Sequence, residues 1–164
     1  MLKVLFLAVI VSISQKADER GVIAGTLVPP AQQKISQPIQ VILMTPQYTN
    51  VWNSDVQRRL DAYWEQFKPA FAVKKELFIE ISKQAHREAA NYLLMRMRRD
   101  PSSNASDYLK ETLPDGRFEF KNIPYGEYAI LAIGKVGDQD LMWQEFVRVQ
   151  SPIPQFLELK KRIP

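Results

Sequence analysis

The sequence lacks cysteine entirely and contains a single histidine among its 164 residues. Without cysteine the chain can form no disulfide, no thiolate nucleophile and no cysteine-ligated metal site. The sequence places no second ligand or nucleophile beside the one histidine, His86, so we interpret it as a surface or packing residue. We therefore expect no catalytic residue, no metal site and no cofactor, and we predict that the protein is not an enzyme.

A long hydrophobic run is also missing. The longest run, from Val4 to Val11, is far shorter than the roughly 20 residues that a helix needs to cross a bilayer. It follows a short basic start, and Ser12 and Ser14 place small residues before a cut at Gln15, as in a secretory signal peptide. Residues 1–14 are predicted to be a signal peptide or an N-terminal hydrophobic segment, with a buried strand as the alternative. We expect an exported protein that is periplasmic, secreted or on the outer face of a membrane.

The chain has no large excess of charge of either sign. It carries 22 Lys and Arg against 18 Asp and Glu, a formal charge of +4. This balance is too weak to indicate nucleic-acid binding without a clustered basic face. Two small basic clusters are explained by the helix dipole and a frayed tail, with contact to lipid head groups or an acidic partner as the alternative. They consist of Arg96, Arg98, Arg99, Lys160, Lys161 and Arg162.

Alternating apolar residues bounded by turn signals predict short β-strands at both ends of the chain. A seventh short strand is possible near Tyr48 or Leu109. Such strands at regular spacing predict one antiparallel β-sandwich domain over residues 20–164. The six clearest strands cover residues 21–28, 39–44, 117–121, 128–133, 143–149 and 156–159.

A helical insertion over residues 53–108 interrupts the strands after the second one. Ser54 and Gln57 have the spacing of a capping box. Pro69 ends a first helix or starts a second one, which runs to Arg99 and would be on the order of 45 Å long. Because this exceeds the strands of a small sandwich, we expect part of it to project or to lie across a second surface. The stripe of the first helix is Val56, Leu60, Trp64 and Phe67.

Five segments, taken in order, resemble the carboxypeptidase regulatory-like domain, a member of the transthyretin-like (prealbumin-like) group of β-sandwiches. The resemblance implies a seven-stranded Greek-key sandwich and an accessory, non-catalytic role. The enzymatic branch of that group uses several histidines and a tyrosine-arginine-glycine-serine tail, neither of which this chain has, so the resemblance implies no hydrolase activity. The segments are 21–27, 38–43, 115–120, 122–124 and 126–130.

The end of the second predicted helix is apolar around most of its circumference. Such a helix must be covered on most sides, either by the sandwich and the first helix or by a partner protein. Methionine- and tyrosine-rich surfaces suit the second explanation. The candidate partner interface consists of Tyr92, Leu93, Leu94, Met97, Arg98, Trp64 and Phe67.

The leading functional hypothesis is a non-catalytic binding or scaffold module outside the cytoplasm, whose helical insertion contacts a protein. The first alternative is an accessory subunit docked on the outer face of a membrane complex, for example a respiratory or photosynthetic one. The second is a carbohydrate-binding module, for which Trp52, Trp64 and Trp143 are the candidate aromatics. No small-molecule substrate is evident from the sequence.

Overall fold

The computed structural model describes residues 19–30, 33–71, 73–74, 76–102 and 104–164, so the predicted N-terminal segment lies outside the described residues. Eight strands and three helices form within the described part of the chain. In chain order they are β1 (Arg20–Leu27), β2 (Gln40–Met44), α1 (Pro46–Phe71), α2 (Glu76–Arg99), α3 (Ala105–Tyr108), β3 (Leu109–Glu111), β4 (Arg117–Pro124), β5 (Gly126–Val136), β6 (Gln139–Val149), β7 (Gln155–Leu159) and β8 (Arg162–Ile163).

Two sheets pack face to face. The small sheet has the order β4-β1-β7 and the large sheet the order β3-β2-β5-β6-β8. Alternate residues of each strand point into the space between them, as the two-residue period of a strand requires. This sandwich core contains Ile23, Phe120, Ile130 and Trp143. The Trp143 indole N–H donates to the carbonyl of Val28 at 3.2 Å, which satisfies the polar end of a buried ring.

The outer face of the large sheet is buried as well, under the α1–α2 hairpin. Val41 and Leu43 of β2 point into the sandwich core, whereas Ile42 and Met44 point toward the helices. This explains why β2 and β5 are apolar at almost every position, since a strand buried on both faces has no solvated side. The molecule therefore has three layers, the small sheet, the large sheet and the helical hairpin.

The two sheets and the position of the two-helix insertion are confirmed, but the predicted sandwich is wrong in two respects. β1 pairs with β7 in parallel, so the sandwich is not wholly antiparallel, and the described residues form eight strands rather than seven. The seventh strand lies at Leu109 as one prediction had it, whereas Tyr48 is helical, and the eighth is β8 at Arg162–Ile163. The direction of β7 was not predictable because no local turn connects it to β1.

The helix boundaries also differ from the predicted ones. α1 begins at Pro46, well before Ser54, because Thr45 provides the cap. The backbone N–H of Tyr48 donates to the Thr45 hydroxyl at 3.4 Å, and proline suits the first helical position. Pro69 neither ends α1 nor starts α2, since it lies within the last turn of α1.

Two glycines are required by their local geometry. Gly116 adopts a φ of +83° in the tight turn before β4, where its N–H donates to the Leu113 carbonyl at 2.9 Å. A Cβ atom on Gly25 of β1 would lie 2.4 Å from the ring of Phe118. The glycine-flanked first strand thus leaves room for an aromatic residue of the sandwich core.

The packing of α2 on the large sheet predicts a large cost for truncating Leu93, which is fully buried. We expect Leu93→Ala to lower the free energy of unfolding by about 2–5 kcal/mol, measured by urea denaturation. Met95→Ala is the matched control, because Met95 lies on the same helix and is 41% exposed. Equal losses for the two variants would contradict this packing.

Candidate functional site

The base of the hairpin is part of the protein core. Ala89, Leu93 and Met97 of α2 and Trp52 of α1 pack against the large sheet. Leu93 and Met97 belong to the predicted partner interface, but both are fully buried, so this part of the prediction is wrong. The physical reason is the apolar outer face of the large sheet, which the two helices cover.

The other predicted interface residues separate into two groups. Tyr92 and Leu94 are partly buried and Arg98 is exposed, all near the C-terminal end of α2. Trp64 is 43% exposed and Phe67 is partly buried, both in the second half of α1. Because the helices are antiparallel, these two groups lie at opposite ends of the hairpin.

A polar clasp, formed by Asp55, Arg59, Tyr63 and Glu88, joins the helices between these two ends. The Nε of Arg59 donates to Asp55 Oδ2 at 2.7 Å within α1, and its Nη1 donates to Glu88 across the hairpin. The Tyr63 hydroxyl donates to Glu88 Oε1 at 2.8 Å. Asp55 is 6% exposed, so its carboxylate depends on the donors of Arg58 and Arg59 in place of water.

The clasp keeps both of its carboxylates ionised. Burial alone would raise the pKa of Asp55, but hydrogen bonds from Arg59 and Arg58 outweigh it and hold that pKa below its ordinary value. Burial opposes ionisation of Glu88 too, and hydrogen bonds from Gln84, Tyr63 and Arg59 lower its pKa. The hydrogen bond to Glu88 in turn raises the pKa of Tyr63.

The lowered pKa of Glu88 predicts that the clasp weakens in acid. A depressed folded-state pKa gives stability above the unfolded-state value, near 4.5, that is lost as the pH falls through the folded-state value. We expect Glu88→Gln to lower the free energy of unfolding by about 1–2 kcal/mol at pH 7. As the pH falls into the acidic range, the free energy of unfolding of this variant should decrease less than that of wild type. Urea denaturation across the acidic range measures both effects. Glu80→Gln, at an exposed pair with Lys83, is the control, and an unchanged pH dependence in Glu88→Gln would contradict this role.

Beyond the clasp, the hairpin ends in an aromatic cluster, which we call the hairpin tip. The Trp64 ring stacks on Phe71 with 5.4 Å between centroids, and Phe71 meets Phe78 edge-on at 5.7 Å. Large parts of this cluster are open to solvent, with exposed fractions of 43% for Trp64, 48% for Phe78 and 54% for Ile79. The tip consists of Trp64, Phe67, Phe71, Val73, Phe78 and Ile79.

The large sheet does not extend under the hairpin tip. Among the described residues, the apolar core between this sheet and the helices includes α1 residues up to Val56 and α2 residues from Ala89 onward. Beside this apolar core, Arg87 of α2 forms an ion pair with Asp140 of β6 at 3.1 Å. The tip therefore projects beyond the sandwich, as expected from the predicted length of the helices.

A second concave surface lies on the outer face of the small sheet, and we call it the sheet groove. It encloses about 680 Å³, and its floor is formed by the small residues of the central strand β1. Phe156 of β7 stands beside this floor and is 81% exposed. The lining residues are Ala24, Gly25, Thr26, Leu113, Arg117, Phe118, Glu119, Phe156, Leu157 and Glu158.

Of the three tryptophans proposed for sugar binding, Trp52 and Trp143 are buried and Trp64 belongs to the hairpin tip. The exposure of Phe156, Val73 and Ile79 was not predicted from the sequence. For Phe156 a signal exists, because it neighbours Leu157 in a short strand that can bury only one of them.

The described residues were also compared with the requirements of a metal site and of a membrane-spanning helix. Among them, no three His, Asp or Glu side chains lie close enough together to hold a metal ion. None of the helices found in those ranges is both long enough and apolar enough to span a bilayer.

The sequence matches no protein family and no curated protein. Among solved structures, the chain is similar to a candidate carbohydrate-binding protein from Pseudomonas aeruginosa, with 19% identity, a TM-score of 0.39, and 86% of this chain and 88% of that chain covered. It is also similar to the pilus backbone from Streptococcus pneumoniae, with 12% identity, a TM-score of 0.32, and 80% of this chain and 34% of that chain covered. Neither similarity is close enough to assign a function, and the resemblance to the carboxypeptidase regulatory-like domain stays a prediction.

Proposed function

We propose that this protein is a non-catalytic binding or scaffold module that acts outside the cytoplasm and contacts a partner protein through its hairpin tip. The observation that carries this proposal is the exposure of Trp64, Phe78 and Ile79 at the projecting end of the hairpin. Exposing clustered aromatic side chains to water is unfavourable in free energy, and burying them against a partner removes this penalty.

The composition of the hairpin tip favours a protein partner. Aromatic residues are enriched in the centres of protein interfaces, and the residues around such centres are polar. The charged residues near the tip are of both signs, which suits the mixed surface of a protein better than an anionic lipid surface. These exposed residues are Glu65, Lys68, Lys74, Glu76 and Glu80.

The hairpin presents the tip rigidly. The clasp joins α1 to α2, and the base of both helices is buried on the large sheet. A surface that is ordered before binding loses less conformational entropy when the complex forms. Long paired helices on a sandwich are therefore an efficient way to hold a small apolar surface away from the rest of the molecule.

Site-specific photo-crosslinking tests this proposal in a way that also identifies the partner. A benzophenone side chain placed at Ile79, in cells that naturally produce the protein, is expected to crosslink one discrete protein. The same group at Asn91, an exposed position on the same helix, is the control and should not. Crosslinks of equal yield at both positions, or at neither, would contradict a role for the tip.

The identified partner then allows a quantitative measurement. We expect Ile79→Asp to weaken binding of the purified partner at least about tenfold, because a charge enters an apolar contact. Since Ile79 is 54% exposed, the free energy of unfolding should change by only about 0.5 kcal/mol. A partner that belongs to a membrane complex would favour the accessory-subunit version of the proposal.

A second candidate function is saccharide binding in the sheet groove. It rests on Phe156, whose exposed ring can stack on the apolar face of a sugar. Arg117 and Glu119 on β4 and Glu158 on β7 flank the floor and offer donors and acceptors for hydroxyl groups. The pairing register places Phe156 and Glu119 on either side of Ala24, so the ring and the carboxylate share one row across the sheet.

Affinity electrophoresis in gels containing xylan, mannan, dextran or hydroxyethylcellulose tests this candidate. We expect at least one polysaccharide to retard the protein, and Phe156→Ala to weaken the affinity about tenfold. Phe146→Ala is the matched control, because Phe146 is also exposed but lies on the large sheet. Retardation that survives Phe156→Ala, or no retardation by any of the four, would remove this candidate.

A further inference from the structure

A groove runs between α1 and α2 at the base of the hairpin, and we call it the arginine groove. Two adjoining cavities of about 350 and 420 Å³ form it, and they share Tyr92 and Arg96. Every lining residue comes from the two helices or from Asp100 directly after α2, so no strand contributes to it. The groove is separate from the hairpin tip and from the sheet groove. It is lined by Gln47, Asn50, Val51, Ser54, Asp55, Arg58, Tyr92, Met95, Arg96, Arg99 and Asp100.

Arg96 and Arg99 supply two guanidinium groups to the groove. Neither has an ion pair with any residue that the structure describes, and Arg96 donates only a 3.4 Å hydrogen bond to the Tyr92 hydroxyl. Of the two carboxylates in the groove, Asp55 is paired with arginines of α1, and Asp100 is hydrogen-bonded to neutral donors. Asp55 accepts hydrogen bonds from Arg58 and Arg59, and Asp100 accepts one from Tyr48 at 2.6 Å.

The helix dipole explains why arginines occur in the last turn of α2, but not why two of them face a groove. Arg98 lies in the same turn and is exposed, yet it does not line either cavity. The groove also has apolar lining residues, namely Tyr92, Val51 and Met95, which is 41% exposed. Arginines without an ion pair beside apolar lining residues complement an amphipathic segment that carries acidic residues.

We propose that the arginine groove binds an acidic amphipathic helix of a partner protein. The seam between two antiparallel helices is a natural seat for a third helix, because ridges of side chains fit into it. Along α1, the groove extends from Gln47 to Arg58, which is about 17 Å and matches about three turns of a bound helix. The length of the groove and its apolar lining residues favour such a segment over an anionic lipid surface.

Fluorescence anisotropy with a labelled peptide probe tests the proposal on the whole chain. The probe is an amphipathic peptide of about four helical turns, with leucine on one face and glutamate beside it. A peptide of the same pattern with lysine for glutamate is the peptide control. We expect the glutamate probe to bind and the lysine probe to bind at least about tenfold more weakly.

Two charge-reversal variants, one double and one single, then locate the site. We expect Arg96→Glu combined with Arg99→Glu to weaken binding of the glutamate probe about tenfold or more. Arg98→Glu is the matched control, since it changes the charge in the same helical turn but outside the groove, and it should change affinity less than about twofold. Circular dichroism melting confirms that both proteins remain folded.

Three outcomes would overturn the proposal. One is no binding of the glutamate probe to wild type, and another is an equal loss of affinity in Arg98→Glu, which would indicate general electrostatic attraction. The third is binding to phosphatidylglycerol vesicles that depends on Arg96 and Arg99 while the peptide does not bind, which would identify a lipid surface as the occupant. None of these outcomes depends on whether the hairpin tip has a partner.

Discussion

The burial of the outer face of the large sheet is the constraint on which the rest of the structure depends. Ile42 and Met44 of β2 and Leu131 of β5 point away from the sandwich core and need a cover of their own. Two helices inserted directly after β2 provide it, and Trp52 and Leu93 are among the buried side chains on the helical side. The position of the clasp, the exposure of the tip and the seam that forms the arginine groove all follow from helices laid across this face.

Those helices are longer than the sheet that they cover, and their excess length is where the proposed contacts arise. The part of α1 up to Val56 packs into the core between the helices and the large sheet, and among the described residues the part beyond it adds none to that core. Arg59 and Glu88 mark the division, because a polar link replaces apolar packing at the point where the sheet ends. Stability and interaction thus occupy different turns of the same helices, so surface residues at the tip can vary without altering the core.

The sequence predicted the helices and strands better than it predicted which of their faces are buried and what covers them. Phe118 and Phe120 revealed a strand by alternation, and the helical insertion followed from its own periodicity. The start of α1 was missed because Ser54 offered a cap that resembles the one that Thr45 provides. The burial of Leu93 and Met97 was not decidable, since periodicity shows that a helix face is apolar but not what covers it. The sheet groove and the arginine groove were beyond prediction for the same reason, because each combines residues from separate elements.

The pairing of β2 with β3 gives the insertion an unusual kind of modularity. Ile42 lies opposite Leu109, so the chain leaves the large sheet and returns to it on neighbouring strands. In terms of chain connectivity, a short loop could replace the whole hairpin and leave every strand in its order. In terms of solvation a short loop could not replace it, because the exposed apolar face of Ile42, Met44 and Leu131 would favour self-association. The chain path of the sandwich does not require the insertion, but the solvation of the large sheet does. Any binding role of the hairpin is therefore tied to the solubility of the sandwich beneath it.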